Sequence, residues 1–302
     1  CSYPLYAPTP FWFWGFLWNF MTILFASVEL CSQDNIDDNL QVIERAVMEA
    51  SVHQAKFIVL PENACLMGQQ LPLALRFDEI CHWYSDLASR YQVHLLAGTL
   101  PCPFRPCGEK ITNGKFRQSS LLFDPNGALV ARYDKIHLFK ATVADSVGQY
   151  DEGRTFEAGD TSIVAPCWID NQKVNIGMMV CFDVRFSSLS KQLRQLGADV
   201  LCLPSAFTYI TGKLHWQTLL QARALDSQCL VIGSAQGGRH YFYQTERVKN
   251  QRKTWGHSMI VDANGQVVAS THGLKTAKKF NITYGALDLN KQQKIRQSLP
   301  LF

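Results

Sequence analysis

No run of like charges interrupts this 302-residue sequence, and charged residues make up only 18% of it. Lys and Arg number 29 against 25 Asp and Glu, a net charge of +4 that is too mild for a dedicated nucleic-acid binder. Metal-binding spacings are missing: no CxxC pair, HxxxH or HExxH occurs, and Cys102 to Cys107 is too wide for a zinc knuckle. Neither GxGxxG nor a P-loop is present, so neither common phosphate-cradling loop is encoded. No Gly/Ser-rich linker or low-complexity stretch divides the chain. What is present is a core: hydrophobic residues reach 47%, which excludes intrinsic disorder. The ten cysteines are scattered, many of them inside apolar runs. They read as reduced thiols in a cytoplasmic protein.

The amino-terminal segment carries no charged side chain before Glu29. On length alone, Phe11–Val28 is sufficient for a membrane helix. A signal peptide needs a basic start and a small-residue cleavage site, and neither is present. A lipoprotein processed at Cys1 is a further reading. The reading adopted is an apolar extension over 1–20 outside the domain, followed by a domain over 21–302, because Thr22–Leu30 reads as a first buried strand. Membrane attachment is not expected.

After Met21, helix and strand patterns alternate, and the order occurs twice. Thr22–Leu30, Phe57–Leu60 and His94–Leu100 are strand runs. Between them lie a helix capped at Asp34 or Asn35, with Ile36, Leu40, Ile43, Val47 and Ala50 on one face, and a helix over Phe77–Tyr91. Ser119–Asp124 and Ala128–Tyr133 flank the turn Pro125-Asn126-Gly127. The second round has strands at Val174–Val180, Asp199–Leu203 and Gln228–Ser234, helices at Ser188–Leu196 and Leu214–Asp226, and a hairpin around Asn264-Gly265. Local sequence echoes the order: AKFIVLPENACL (55–66) resembles ADVLCLPSAFTY (198–209), and LLFDPNGALVA (121–131) resembles MIVDANGQVVA (259–269). The expected fold is α/β, with two similar halves whose sheets pack face to face and whose helices lie outside.

In such sheets, reactive groups gather beyond the carboxyl ends of strands. Three chemically capable residues stand there: Glu62, Lys135 and Cys181. Each also has a plain reading. Cys181 suits a buried thiol or a nucleophile on a sharp turn. Lys135 suits a snorkelling side chain or a cation that holds a thiolate or oxyanion. Glu62 suits a cap or ion pair, or a general base. Its echo in the second half is Ser205, so the repeated scaffold does not demand a carboxylate there. His137 and His215 lie near these motifs and leave a Cys–His dyad open.

LPEN (60–63), YDKIHLF (133–139) and GMMVCFDVRF (177–186) resemble the three motifs of the nitrilase superfamily of carbon–nitrogen hydrolases, in the family's order and across about residues 21–301. The resemblance implies a four-layer α-β-β-α sandwich, a homodimer or larger assembly, and no metal or organic cofactor. It implies a Glu–Lys–Cys triad at Glu62, Lys135 and Cys181, with a thioester intermediate and an oxyanion held by Lys135 and the backbone N–H near Phe182. A second family glutamate maps to Glu152 in DEGRTFEAGD (151–160), where Gly153 and Ala158 replace the usual Ser and Pro. Arg185, four residues after Cys181, suits a carboxylate clamp or a structural salt bridge.

The stretches 204–229, 235–240 and 255–269 look most like the branch that hydrolyses deaminated glutathione to 2-oxoglutarate and Cys-Gly. The alternatives are an ω-amidase that releases ammonia from 2-oxoglutaramate, a membrane-bound N-acyltransferase, and an inactive interaction protein on the same fold. YFYQTERVKNQRKT (241–254) is longer than is usual in this branch. It reads as an exposed insertion, with contact to the substrate entrance or to a second subunit as alternatives.

Overall fold

Side chains of β1 (Ile23–Leu30) alternate between two buried environments. Ile23 and Phe25 face the space between two sheets, and Ala26, Val28 and Leu30 pack beneath helices. The computed structural model describes residues 22–145, 147–245, 248–274 and 279–302, so the extension 1–20 lies outside the described residues. After β1 come α1 (Ile36–Val52), β2 (Phe57–Val59), α2 (Leu71–Leu75), α3 (Phe77–Tyr91) and β3 (His94–Leu96). The first half continues with β4 (Leu100–Cys102), β5 (Phe116–Phe123) and β6 (Leu129–Asp134). Short strands β7 (Lys140–Thr142), β8 (Gln149–Asp151) and β9 (Phe156–Glu157) lead on. The second half opens with β10 (Val164–Ile169), β11 (Gln172–Met178), α4 (Ser187–Gln195), β12 (Val200–Ser205), α5 (Tyr209–Ser227) and β13 (Leu230–Ala235). It closes with β14 (Gly237–Thr245), β15 (Val248–Trp255), β16 (Met259–Val261), β17 (Val267–Ser270), β18 (Phe280–Leu287) and α6 (Leu289–Ser298).

The two main sheets repeat one topology. In the first, β18 runs antiparallel to β1, then β1, β2 and β3 are parallel, and β5 and β6 follow antiparallel. In the second, β10 runs antiparallel to β11, then β11, β12 and β13 are parallel, and β16 and β17 follow antiparallel. The sheets meet where β1 approaches β13. Ser27 Oγ donates to the Gly233 carbonyl at 3.0 Å and Ser258 Oγ to the Val28 carbonyl at 3.1 Å, small side chains that allow close contact. Helices α1 and α3 cover the outer face of the first sheet, and α4 and α5 that of the second. The expected α-β-β-α sandwich of two similar halves is the observed fold.

Local signals explain most elements. Asn35, rather than Asp34, caps α1 by accepting from the Asp38 N–H at 3.0 Å, and Asp37 and Asp38 suit the positive end of the helix. The run His94–Leu100 is not one strand. It breaks at Gly98, whose φ of +66° and close approach to Pro61 leave no room for a side chain: a Cβ would sit 2.1 Å from the Pro61 carbonyl oxygen. Helix α5 begins at Tyr209 rather than Leu214, since Thr208 supplies the cap. The sequence pattern alone does not single out β10, β18 or α6; β18 is a half-exposed edge strand with Asn281 and Thr283 in it, so its periodicity is weak.

One expectation is corrected. Within 241–254, the described residues 241–245 and 248–254 are not a plain loop: they belong to the paired strands β14 and β15, matched from Gly237↔Trp255 to Thr245↔Val248. Among the described residues, no helix is long and apolar enough to cross a membrane.

Candidate active site

Four turns deliver the site. Pro61 stops β2, and the next residue, Glu62, leaves the sheet with its carbonyl tethered by Gln236 Nε2 at 3.1 Å. Asn63 adopts φ +56°, and its N–H donates to Thr99 Oγ1 at 2.9 Å, so the turn is fixed on both sides of the carboxylate. Lys135 follows β6, held by backbone bonds from its N–H to the Gln118 carbonyl (3.0 Å) and from the Gly159 N–H to its carbonyl (2.8 Å). Glu152 opens a short 3-10 turn after β8; its carboxylate accepts from the Phe139 N–H at 2.7 Å. Cys181 opens another 3-10 turn, Cys181–Arg185, with φ +46°, a left-handed conformation that costs a non-glycine residue about 1–3 kcal/mol.

These side chains converge. Lys135 is fully buried and donates from Nζ to Glu62 Oε1 at 2.8 Å, and it pairs with Glu152 Oε2 at 2.8 Å. Gln118 Nε2, from β5, donates to the same Glu62 oxygen at 2.9 Å. Burial disfavours the charged lysine, but the Glu152 and Glu62 carboxylates and Cys181 outweigh it, so Lys135 titrates above its ordinary value. Cys181 goes up as well: burial is the main cause, and the Glu62 charge adds to it against the pull of Lys135. Glu152 is also raised, by burial first, with Lys135 opposing. The resting site is therefore a neutral thiol beside a protonated lysine. Removing the thiol proton requires a base in contact with both.

Cys181, Glu62, Glu152, Phe182 and Arg185 line one narrow recess. The Phe182 ring packs edge-on against Phe139 and Phe186, forming an apolar wall. Arg185 has no structural salt bridge among the described residues. Its guanidinium lies 3.2 Å from His215 Nδ1 and 5.4 Å from the Phe207 ring centroid, and burial lowers its pKa below the usual arginine value. Five of the six residues singled out from the sequence thus line one recess, and the sixth, Lys135, is buried behind it, bonded to Glu62 and Glu152.

The Cys–His dyad is not formed. His137 places Nδ1 2.7 Å from Asp183 Oδ1 and stacks on Phe186 at 3.6 Å, while His215 faces Arg185. Asp183 is the organising residue that the sequence reading missed. Fully buried, it accepts from the Tyr133 hydroxyl (2.7 Å), the Val180 N–H (2.9 Å) and the His137 N–H (3.0 Å). It ties the lysine-bearing turn to the cysteine-bearing turn. Tyr133 and Asp183 both lie inside the motif strings, at YDKIH and CFDVR, and their place within those strings was the available signal. Gln118 carries no such mark.

Comparison with known proteins agrees with this architecture. A family model described as carbon-nitrogen hydrolase matches residues 24–297. A Yersinia enterocolitica protein named deaminated glutathione amidase is 35% identical, covering 90% of this chain and 91% of its own. A Synechocystis protein of the same name is also 35% identical, covering 92% and 96%. Among solved structures, Saccharomyces cerevisiae Nit3, described as a member of branch 10 of the nitrilase superfamily, superimposes with a TM-score of 0.73 at 27% identity, covering 93% of this chain and 95% of its own. With the family model spanning nearly the whole sandwich and the relatives matching it end to end, the chain belongs to the carbon-nitrogen hydrolase family of the nitrilase superfamily, and is a hydrolase of carbon–nitrogen bonds other than peptide bonds.

Proposed function

We propose that the protein is a cysteine-dependent amidase whose triad is Glu62, Lys135 and Cys181. The observation that carries this is the buried junction of Lys135 with Glu62 and Glu152 beside the Cys181 thiol. Glu62 takes the thiol proton as Cys181 Sγ attacks the amide carbonyl, and the oxyanion is held by Lys135 Nζ and the Phe182 N–H. Protonated Glu62 then gives its proton to the amine nitrogen, the C–N bond breaks, and a thioester remains. Water, deprotonated by Glu62, attacks the thioester. Collapse releases the carboxylic acid, and the proton returns from Glu62 to sulfur. Glu152 keeps Lys135 oriented and charged, Phe182 walls the acyl group, and Arg185 holds an anionic end of the substrate.

The substrate proposed is deaminated glutathione, split into 2-oxoglutarate and Cys-Gly. The names of the 35%-identical relatives support it, as does a recess furnished with arginine. Self-association is proposed alongside, supported by Leu196, Leu214 and Leu225 left exposed on the α4–α5 layer. A reducing, cytoplasmic setting is proposed from the free, mostly buried thiols.

The test is product release by the purified protein with deaminated glutathione and 2-oxoglutaramate side by side, with Cys181→Ala as the control. Strong preference for deaminated glutathione and an inert variant are expected. Preference for 2-oxoglutaramate would overturn the substrate, and an active Cys181→Ala the mechanism.

A further inference from the structure

The recess around Cys181 contains more cationic groups than the reaction steps use. Lys135 is matched by two carboxylates. Arg185 and Arg252 line the same recess, and among the described residues neither forms an ion pair. An enclosed wall with two unmatched guanidinium groups fits a ligand with two anionic ends.

The two arginines differ in where they stand. Arg185 is on the nucleophile's own turn, between Phe182 and Phe207. Arg252 comes from β15, in the hairpin formed by the long insertion, and lines both the recess and a wider open groove beside it. Its backbone is paired with β14. The facing residue in the hairpin, His240, is fully buried and bonded to the Ser32 carbonyl and the Thr254 hydroxyl. Arg252 Nη2 donates to the Ala206 carbonyl, and the guanidinium sits 5.3 Å from the Tyr150 ring centroid. Its remaining contact is weak, Nη1 at 3.9 Å from Met67 Sδ, and its buried Nε–H has no partner. Nη1, held only by that weak contact, is the donor left to meet a carboxylate in the recess that Arg252 lines.

We infer that Arg252 binds a carboxylate on the amine half of the substrate and thereby favours amides whose leaving amine ends in an anion, such as a dipeptide. Arg185 then serves the acyl half. This rests on the proposed amidase reading for the direction of the substrate, but not for the binding itself.

The experiment is calorimetric titration of Cys181→Ala protein, with and without Arg252→Gln, using deaminated glutathione and 2-oxoglutaramate as the two probes. Deaminated glutathione carries a carboxylate on each half; 2-oxoglutaramate carries only the acyl-side one. Expected is a loss of about 30-fold or more in affinity for deaminated glutathione on Arg252→Gln, and a change under about threefold for 2-oxoglutaramate. Equal losses for both ligands, no loss for either, or no binding of deaminated glutathione before the substitution would each overturn the inference. If Arg252→Gln does not fold, Arg252→Lys carries the same comparison, with a selective loss of about threefold or more. A selective loss in a protein that cleaves neither amide would leave the inference standing and remove the proposed reaction.

Discussion

The Tyr133 hydroxyl donates to Asp183 Oδ2 at 2.7 Å across the interface between the two sheets, joining the strand that delivers Lys135 to the turn that delivers Cys181. Both groups are fully buried, so the bond has no water to fall back on.

Tyr133→Phe leaves Asp183 its backbone donors and is expected to cost about 1–2 kcal/mol. Asp183→Ala strips the acceptor from several donors at once and is expected to cost about 3–5 kcal/mol. Urea unfolding of both variants measures the difference. Equal costs would mean that the carboxylate is not the hub of this network.

Glu62→Gln keeps the shape of the junction but removes the base. Turnover should fall about 10²–10⁴-fold with the melting temperature little changed. Glu152→Gln leaves Glu62 in place and should cost less in turnover. Steady-state kinetics on the two variants decide it, and a larger loss for Glu152→Gln reverses the assigned roles.

Burial and the Glu62 charge push the Cys181 thiol well above its ordinary range, whereas Cys107 is exposed. At neutral pH and without substrate, iodoacetamide should therefore label Cys107 first and Cys181 more slowly, with Cys181 labelling accelerating as the pH is raised. Peptide mapping by mass spectrometry gives both rates. Preferential labelling of Cys181 would mean that the resting site already holds a thiolate.

His240 is fully buried, and its pKa is held down to about 4 from 6.5, chiefly by burial. The Ser32 carbonyl can only accept, so Nδ1 carries the proton and Nε2 accepts from the Thr254 hydroxyl. Because the folded pKa lies below the unfolded one, stability is complete above about pH 6.5 and is lost as the pH falls toward 4, by about 3 kcal/mol. Denaturation midpoints at pH 7 and pH 4 should show the drop, and His240→Gln should flatten it.

How much of this could be read in the chain follows from where each signal lies. Glu62, Lys135 and Cys181 each stand just past an apolar run, so strand ends and motif strings locate them together. Gln118 sits inside a strand, 56 residues from the carboxylate it holds, and nothing local marks that distant contact. Histidine as partner of the cysteine stayed open in the sequence because proximity along the chain does not give ring direction; His137 turns to Asp183 instead. The hairpin over 237–255 was obscured by its polar residues, which do not show the alternation of a half-buried strand. Strand β18 was obscured by its partner's distance along the sequence, since Phe280–Leu287 pairs with Ile23–Leu30.

That last pairing sets a schedule for the ribosome. Every residue of β1 from Ile23 to Leu30 is matched by one of β18, from Leu287 back to Phe280. The earliest strand of the domain to leave the exit tunnel must therefore wait with one edge bare until the chain is translated through residue 287. Through that interval β1 is an unpaired apolar edge, the kind of surface that recruits wrong strands and that nascent-chain chaperones cover.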